Sequence, residues 1–331
     1  MTLPLRRGLP AVAFCFVAMV AAVIAAPFIG STTIHFGQVF NTSVPFADNV
    51  DAQIFFIARL PRALAAALVG GTLAAAGVIF QGLLRNPLAT PYTLGVSAGA
   101  SLGAMVAITF GAGWAIGGVA SASLAGAFLA VAIVYALASA RHRGLSTTVL
   151  LLAGVTLNSF FSALILFVQY LSDFAQTFRA LRWLMGNLEV ASYAPILSAL
   201  PLVAIAFAAF AWLARPLNLL SIGTEAASTR GVHVVRAQRV AFFSASLATG
   251  AAVSVGGPIG FVGIIVPHLV RLMVGADHRL VLPASTFFGA AFLVACDAIA
   301  RTVLAPVQLP VGIITAVIGG PFFLWLLISR R

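Results

Sequence analysis

Long stretches without a single charged residue alternate with short charged clusters along this 331-residue chain. A helix that crosses a bilayer needs roughly 20 mostly apolar residues, and each uncharged stretch is long enough to supply one. The chain is 62% hydrophobic and 8% charged, whereas a soluble domain carries about 25% charged residues. The pattern therefore excludes a soluble globular fold and predicts a polytopic membrane protein. The uncharged intervals are 8–47, 63–84, 86–140, 144–172, 190–214 and 302–329.

About ten membrane-spanning helices are predicted from this pattern. The interval 86–140 is too long for one helix, and a break near Gly111 to Trp114 divides it. Gly256, Gly257 and Pro258 divide a later run, because proline lacks an amide donor and glycine favours turns. Backbone groups in lipid must be hydrogen-bonded internally, so the fold class is all-α. The predicted spans are 9–29, 63–84, 94–112, 115–139, 147–171, 193–214, 238–256, 259–275, 281–299 and 311–329.

The arginines predict the orientation of these spans. With the N-terminus inside, 13 of the 18 basic residues fall on the inner side, and cytoplasmic loops collect basic residues. Both termini are therefore predicted to be cytoplasmic. Arg6 and Arg7 precede an apolar run that is long enough to span, so we interpret it as an uncleaved first helix rather than a signal peptide. The five arginines on the outer side are Arg59, Arg62, Arg179, Arg182 and Arg301.

Few residues suggest enzyme chemistry. The chain has no lysine, which excludes a Walker A phosphate loop and ATP hydrolysis by that mechanism. His268 and His278 are ten residues apart, which is not a helical spacing for metal ligands, so no metal site is predicted. Asp297 is the one acid clearly inside an apolar span, and an ion pair with Arg301, four residues later, is the simpler interpretation. Its alternative is a role in a proton-coupled transporter.

Several polar and small residues allow two interpretations. Gly95, Gly99 and Gly103 form overlapping GxxxG patterns, which favour close helix packing over ligand contact. The break at Asn86-Pro87-Leu88 and the hydroxyl residues opening the fifth span either line a pore mouth or cap a helix. Asn158, in the middle of that span, bonds another helix or lines a polar path. The polar stretch 216–237 is predicted to hold a short surface helix.

A series of short motifs resembles the FecCD family of ABC importer permeases, from about residue 55 to the C-terminus. Each motif is modest alone, but their order and spacing are specific. In chain order they are Arg59-Leu60-Pro61-Arg62, Gln81-Gly82-Leu83-Leu84-Arg85-Asn86-Pro87-Leu88-Ala89, Leu94-Gly95-Val96-Ser97-Ala98-Gly99-Ala100, Trp183-Leu184-Met185-Gly186, Gly257-Pro258-Ile259-Gly260-Phe261-Val262-Gly263, Pro267-His268-Leu269-Val270-Arg271, Asp277-His278-Arg279, Leu309-Pro310-Val311-Gly312 and Gly320-Pro321-Phe322-Phe323.

This resemblance implies the permease fold of a type II ABC importer, a single transmembrane domain over residues 1–331. Two such permeases would assemble with two ATPase subunits, which bind ATP and Mg, and with a periplasmic or lipid-anchored binding protein. The chain itself would need no cofactor and would not be an enzyme. It would lie in the bacterial inner membrane, most simply as a homodimer, with no nucleic acid partner.

The resemblance also implies residue roles. Docking of the binding protein falls to Arg59, Arg62 and Arg301, whose rigid guanidinium forks suit carboxylates. The cytoplasmic gate corresponds to Asn86, Leu88, Thr147 and Thr148, with Asn158 as a path residue from its position alone. The loop 216–237 resembles the EAA---G coupling element, with Glu225, Ala226, Ala227 and Gly231 seated on the ATPase.

The expected function is ATP-driven import of a metal chelate, with a ferric siderophore favoured over haem and haem over vitamin B12. Ala89-Thr90-Pro91-Tyr92-Thr93 leans toward the siderophore members of the family, on resemblance alone. Two competing functions remain. A proton-coupled secondary transporter predicts uptake that survives loss of the ATPase, and a structural membrane anchor predicts no ATPase partner.

Overall fold

A computed structural model describes residues 5–111, 118–140, 146–190 and 192–329. Within these ranges the chain is helical and contains no β-strand, so the predicted all-α class is confirmed. Ten long helices occur there, one for each predicted span. They are α1 (Leu5–Ala25), α2 (Leu60–Leu84), α3 (Val96–Phe110), α4 (Gly118–Ser139), α5 (Thr147–Tyr170), α6 (Ala194–Leu220), α7 (Val234–Gly256), α8 (Val262–Val274), α9 (His278–Thr302) and α10 (Val311–Ser329).

The lengths of these helices divide them into two groups. Seven segments in the described ranges are long and apolar enough to cross a membrane, whereas α3, α8 and α10 supply shorter apolar helices. The predicted break at Gly256–Pro258 separates α7 from α8, where Gly257 has a φ of 67°. The break predicted near Gly111 to Trp114 falls between α3 and α4, and residues 112–117 lie outside the described residues.

Helix α2 is the centre of the bundle and packs against α9, α7, α8 and α6. Its apolar window is 83% buried, compared with 11% for the window that covers α1. Small residues make this contact possible, because a Cβ added to Gly70 would lie 2.3 Å from the backbone oxygen of Gly289 in α9. Close backbone approach replaces the hydrophobic driving force that lipid does not provide between helices.

Helices α3 and α4 pack together through the predicted GxxxG face. A Cβ on Gly99 would lie 2.4 Å from the oxygen of Gly126, and one on Gly103 would lie 2.0 Å from the oxygen of Ala122. These distances leave no room for a side chain. The interpretation of this pattern as a packing motif is therefore confirmed for Gly99 and Gly103.

The first helix lies on the outside of the bundle, against α9. The rings of Phe16 and Phe287 meet edge to face with centroids 5.2 Å apart, and Cys15 is buried in the contact region. Cys296 in α9 is also buried, and both cysteines are free thiols. They are therefore small core residues.

Besides the short helices Phe36–Val39 and Val50–Gln53, two further short helices mark opposite ends of the bundle. Phe174–Leu184 follows α5 at the end that carries Arg62 and Arg301, here called the arginine end. Thr224–Thr229 joins α6 to α7 at the opposite end, so the surface helix predicted within 216–237 is confirmed. The polar loop around it is shorter than predicted, because α6 continues through Pro216 to Leu220 and α7 begins at Val234.

Candidate functional site

A buried ion-pair cluster lies at the arginine end. Asp297 in α9 accepts a hydrogen bond from Arg62 in α2, with 2.8 Å between Nε and Oδ1. Its other oxygen, Oδ2, lies 3.0 Å from Nε of Arg301, one turn later in the same helix. The ion pair with Arg301 predicted from the sequence is confirmed, and the structure adds Arg62 to it. One carboxylate therefore lies between two guanidinium groups and links α2 to α9.

The same arginines hold the end of the first helix in place. Arg301 donates to the backbone oxygens of Ala26 and Ile29 at 3.2 and 3.1 Å. Arg59 donates to the oxygen of Pro27 at 3.1 Å and also to that of Thr32. Backbone oxygens at the end of a helix lack partners within the helix and carry its negative dipole end, so positive groups there are favourable. The segment 26–32 is thereby fixed over α2 and α9.

The three arginines that are predicted to dock the binding protein are buried in the single chain. Docking by direct contact requires exposed guanidinium groups, but Arg59, Arg62 and Arg301 are only 7%, 6% and 4% exposed in the single chain. The physical reason is that each has internal acceptors, namely Asp297 or the carbonyls of segment 26–32. Their role in docking stays a prediction, and it requires this segment to move.

The two other arginines at this end lie in the short helix Phe174–Leu184. Arg182 forms an exposed pair with Glu189, with 2.5 Å between Nη2 and Oε2. Arg179 is exposed as well. Asp173 caps the start of this helix by accepting from the amide of Gln176 at 2.7 Å. Capping therefore fixes where the helix begins and presents Arg179 outside the bundle.

Two local capping structures lie at the opposite end, and the predicted gate residues Asn86 and Leu88 form the first of them. The side-chain oxygen of Asn86 accepts from the amide of Leu88 at 2.9 Å, which closes a tight turn after α2. Leu88 is 45% exposed. Ser146 is the N-cap of α5 and accepts from the amide of Val149 at 3.4 Å. Arg141, Arg143 and Leu145 before it lie outside the described residues.

The hydroxyl residues that open α5 do not share this capping role. Thr147 is half-buried and Thr148 is exposed. Asn158 is exposed too and, within the described residues, its side chain bonds no other helix. The helix-bonding interpretation of Asn158 is therefore wrong for the single chain.

The predicted coupling residues form a compact surface helix. Ala227 is fully buried beneath it, Ala226 is half-buried and Glu225 is exposed. The amide of Val232 donates to the oxygen of Ala227 at 3.0 Å, and Gly231 has a φ of 83°. This arrangement ends the helix through a left-handed glycine. The Ala and Gly of the EAA---G pattern therefore shape the helix, while Glu225 points to the surface.

A polar cluster that was not recognised from the sequence lies beside this helix. Asn218, near the end of α6, donates to Asp277 Oδ1 at 2.6 Å and accepts from the His278 amide at 2.8 Å. Nδ1 of His278 lies 2.7 Å from the same Asn218 oxygen. The cluster ties the end of α6 to the start of α9. In the sequence, Asn218 and the triplet Asp277-His278-Arg279 each lie near the end of a span, but no pattern indicates that they contact each other.

The charge of Asp277 is stabilised by its neighbours. Burial opposes ionisation of this carboxyl group, but hydrogen bonds from Arg279 and Asn218 outweigh burial and hold its pKa below the usual value. Arg279 binds it through two side-chain contacts, at 3.2 and 3.1 Å. The cluster therefore carries an ionised carboxylate at neutral pH.

A second missed contact ties α2 to α8. The side-chain nitrogen of Gln81 donates to the backbone oxygen of Gly263 at 3.1 Å, and the side-chain oxygen of Gln81 accepts from Arg271.

In the part of the chain that the structure describes, no group of three or more His, Cys, Asp or Glu side chains is placed to hold a metal ion. The polar side chains at this end therefore connect helices.

Comparison with known proteins identifies the family. The model of the FecCD transport family matches residues 18–329. The cobalamin import system permease protein BtuC of Halobacterium salinarum is 46% identical over 82% of this chain and 73% of its own length. The hemin transport system permease protein HmuU of Yersinia pestis is 37% identical over 96% of this chain and 95% of its own length.

The fold agrees with these sequence matches. A solved metal-chelate type ABC transporter in an inward-facing conformation superposes with a TM-score of 0.82 at 31% identity, and the match covers 98% of this chain and all of the other. The expected ten-helix permease architecture is therefore that of a known transporter. The chain belongs to the FecCD transport family and is a permease of a type II ABC importer.

Proposed function

We propose that this chain is the translocation half of a homodimer that imports a metal chelate through the inner membrane. A separate ATPase subunit binds ATP and Mg and supplies the energy, and an extracytoplasmic binding protein delivers the substrate. The observation that carries the proposal is the family match over residues 18–329. The absence of lysine, and with it of a Walker A motif, is consistent with an ATPase in another chain.

The exposed face of α5 supports a polar path between two copies. Thr148, Ser159 and Ser162 are exposed and lie at positions that bring them to one side of the helix. The Ser159 hydroxyl already donates to the backbone oxygen of Val155 in its own helix, at 3.2 Å. The support for a polar path is therefore the exposure of three hydroxyl groups along one side of a spanning helix, where lipid offers no hydrogen-bond partner. We assign this face, together with the gate residues Asn86, Leu88 and Thr147 and the path residue Asn158, to the translocation path.

The distribution of charge supports an orientation with the helix Thr224–Thr229 in the cytoplasm. In the predicted ten-span layout, thirteen of the 18 arginines are assigned to that side and five to the arginine end. Both termini are then cytoplasmic. The ATPase subunit would contact Glu225 and the exposed side of its helix, while Ala226, Ala227 and Gly231 maintain the shape of that helix.

The arginine end would receive the binding protein. Arg62 and Arg301 share one acid, Asp297, and Arg59 is within electrostatic range of Asp51. Three positive groups below segment 26–32 therefore meet two acids, which leaves an excess positive charge. A positive potential of this kind attracts an acidic partner before contact. Contact would then exchange the carbonyl partners of Arg59 and Arg301 for carboxylates of the docking protein.

The substrate class we favour is an iron chelate, a ferric siderophore or haem. The hemin permease of Yersinia pestis supports this choice because it aligns with almost the whole chain. Vitamin B12 is the second candidate, and the 46% identity to the cobalamin permease of Halobacterium salinarum favours it. All three are bulky metal chelates, so the same type of path would serve each of them.

Transport in proteoliposomes tests the proposal. The permease would be reconstituted with its ATPase and binding protein, and uptake of a ferric siderophore, haem and cobalamin would be followed in parallel with a fluorescent pH gradient probe. ATP-dependent uptake of one chelate is expected, unaffected by a protonophore. Uptake that stops with the protonophore and continues without ATPase would instead identify a proton-coupled transporter. No uptake, with no ATPase bound, would identify a membrane anchor.

A further inference from the structure

An exposed pair of residues joins α6 and α7 close to the helix Thr224–Thr229. The Cζ atom of Arg236, in the first turn of α7, lies 5.7 Å from the ring centroid of Trp212 in α6, within the range of a cation–π interaction. Trp212 is 48% exposed, and Arg236 is exposed as well. The pair therefore lies on the outer surface of the bundle, open to its surroundings.

Two further arginines lie on the same helix faces. Arg215 follows Trp212 by three positions and Arg239 follows Arg236 by three, so each is a neighbour on its own helix. Both are exposed. Among the residues that the structure describes, none of the three arginines forms a salt bridge or hydrogen bond. The surface therefore presents three positive charges without a paired carboxylate.

The surface continues into an apolar stripe along α6. Exposed residues repeat along one side of this helix as far as Trp212. Its two large aliphatic side chains, Leu197 and Ile205, are 62% and 61% exposed. A continuous apolar side of a spanning helix faces acyl chains, and tryptophan marks the level of the lipid headgroups. The full stripe is Leu197, Pro201, Ala204, Ile205, Ala208 and Trp212.

We propose that Trp212, Arg215, Arg236 and Arg239 form a binding site for an anionic phospholipid. The guanidinium groups bind the phosphate oxygens, for which their fork geometry is suited. The Trp212 ring lies at the headgroup level, and the acyl chains follow the α6 stripe. Phe243, 42% exposed and one turn beyond Arg239, adds an apolar contact, with its ring centroid 4.8 Å from that of Tyr135.

The position of the site gives the lipid a regulatory consequence that rests on the proposed function. The two helices that hold the headgroup are those joined by Thr224–Thr229, the helix assigned to the ATPase. A bound lipid fixes the spacing of α6 and α7 where that helix begins and ends. Anionic lipid should therefore raise ATP-driven transport, while lipid binding itself is measurable without any transport.

Native mass spectrometry of the full-length chain tests binding directly. The protein in detergent would be mixed with equal amounts of phosphatidylglycerol and phosphatidylcholine, and the retained lipids counted. Wild type should prefer phosphatidylglycerol, and Arg236→Gln with Arg239→Gln should lower that preference roughly fivefold for each arginine. Arg230→Gln is the matched control, because Arg230 is an exposed arginine at the same end outside the site, and it should leave the preference unchanged.

Fluorescence gives a second measurement that does not depend on the arginine variants. Brominated phosphatidylglycerol should quench tryptophan emission more than brominated phosphatidylcholine does, and Trp212→Phe should remove that difference. The proposal is overturned if the folded double variant keeps the wild-type lipid preference, or if Trp212→Phe leaves the difference intact. Displacement of bound phosphatidylglycerol by millimolar inorganic phosphate would overturn it too, because the site would then bind free phosphate. The proposal also fails if the double variant loses ATPase binding but retains lipid as the wild type does, because the arginines would then serve the ATPase contact. A variant that loses the lipid preference but still transports the chelate with ATP would leave the proposed function unaffected.

Discussion

Arg62 in α2 and Asp297 in α9 are 235 positions apart in the chain and form a buried ion pair, with 2.8 Å between Nε and Oδ1. Their side chains are 7% and 1% exposed. Arg301 completes the cluster from the next turn of α9. This contact joins the central helix of the bundle to the helix packed most closely against it.

Removal of the shared carboxylate should therefore destabilise the chain strongly. Asp297→Asn leaves two buried guanidinium groups without a counter-charge, and breaking a buried pair from one side costs about 3–5 kcal/mol. We expect a clear fall in the melting midpoint of the purified protein in detergent. Glu189→Gln is the control, because it removes a carboxylate from the exposed pair with Arg182, where the expected cost is about 0–1 kcal/mol. Equal midpoint shifts for the two variants would contradict the assignment.

Neutralisation of a single arginine tests docking at the arginine end. Arg59→Gln keeps a donor side chain but removes one charge, so the affinity of the binding protein should fall and depend less on salt concentration. Binding would be measured by surface plasmon resonance at two ionic strengths. Arg85→Gln, an exposed arginine at the other end of α2, should change neither quantity. An unaltered salt dependence in Arg59→Gln would remove Arg59 from the docking surface.

The contact of α3 with α4 predicts opposite results for two glycines inside helices. Gly99→Ala places a methyl group 2.4 Å from the oxygen of Gly126, and overpacking of this kind costs about 1–3 kcal/mol. Gly37→Ala in the short helix Phe36–Val39 meets no atom beyond its chain neighbours within 4 Å, and alanine gains about 0.5–1 kcal/mol over glycine in a helix. Melting midpoints should therefore fall for the first variant and hold or rise for the second. Similar falls in the melting midpoints of both variants would show that the close approach of α3 and α4 is not the cause of the loss of stability.

Cross-linking tests the ATPase contact. Glu225→Cys should form a cross-link to the ATPase subunit with a short thiol-reactive reagent, because the position is exposed on the helix Thr224–Thr229. Background reaction should be low, since the native thiols Cys15 and Cys296 are both buried. Ser31→Cys, exposed at the arginine end, should give no product. Failure at Glu225 and at its exposed neighbours Ser228 and Thr229 would exclude this helix as the contact.

The Asp277 cluster predicts a dependence of stability on pH. Its pKa is lower in the folded chain, so the carboxylate stabilises the fold at a pH above its unfolded pKa of about 3.9, and that contribution is lost as pH falls through the folded value. Asp277→Asn should therefore be less stable than wild type at pH 7, and the gap in melting midpoint should close towards pH 3. A gap that is constant with pH would show that the charge of Asp277 contributes nothing.

The sequence predicted the fold well because lipid restricts the choices. Uncharged stretches located seven of the ten long helices, and apolar runs interrupted by a few charges located α7, α8 and α9. Gly256–Pro258 located the break between α7 and α8, since these signals depend on the local chain alone. The same holds for Gly99 and for the helix at Glu225. Contacts over long sequence separations were not predictable. Nothing in the local pattern showed that Arg62 meets Asp297, that Asn218 meets Asp277, or that segment 26–32 covers Arg59.

Helix α6 is 27 residues long and ends four residues before the helix that carries Glu225. At 1.5 Å per residue it is a rod of about 40 Å. Pro201 and Pro216 each leave one backbone hydrogen bond unmade, so the rod has two points where bending costs least, one near each end. The stretch between those prolines is about 22 Å long, so a lateral movement of ~3 Å at one of its ends corresponds to a tilt of roughly 8° about the other.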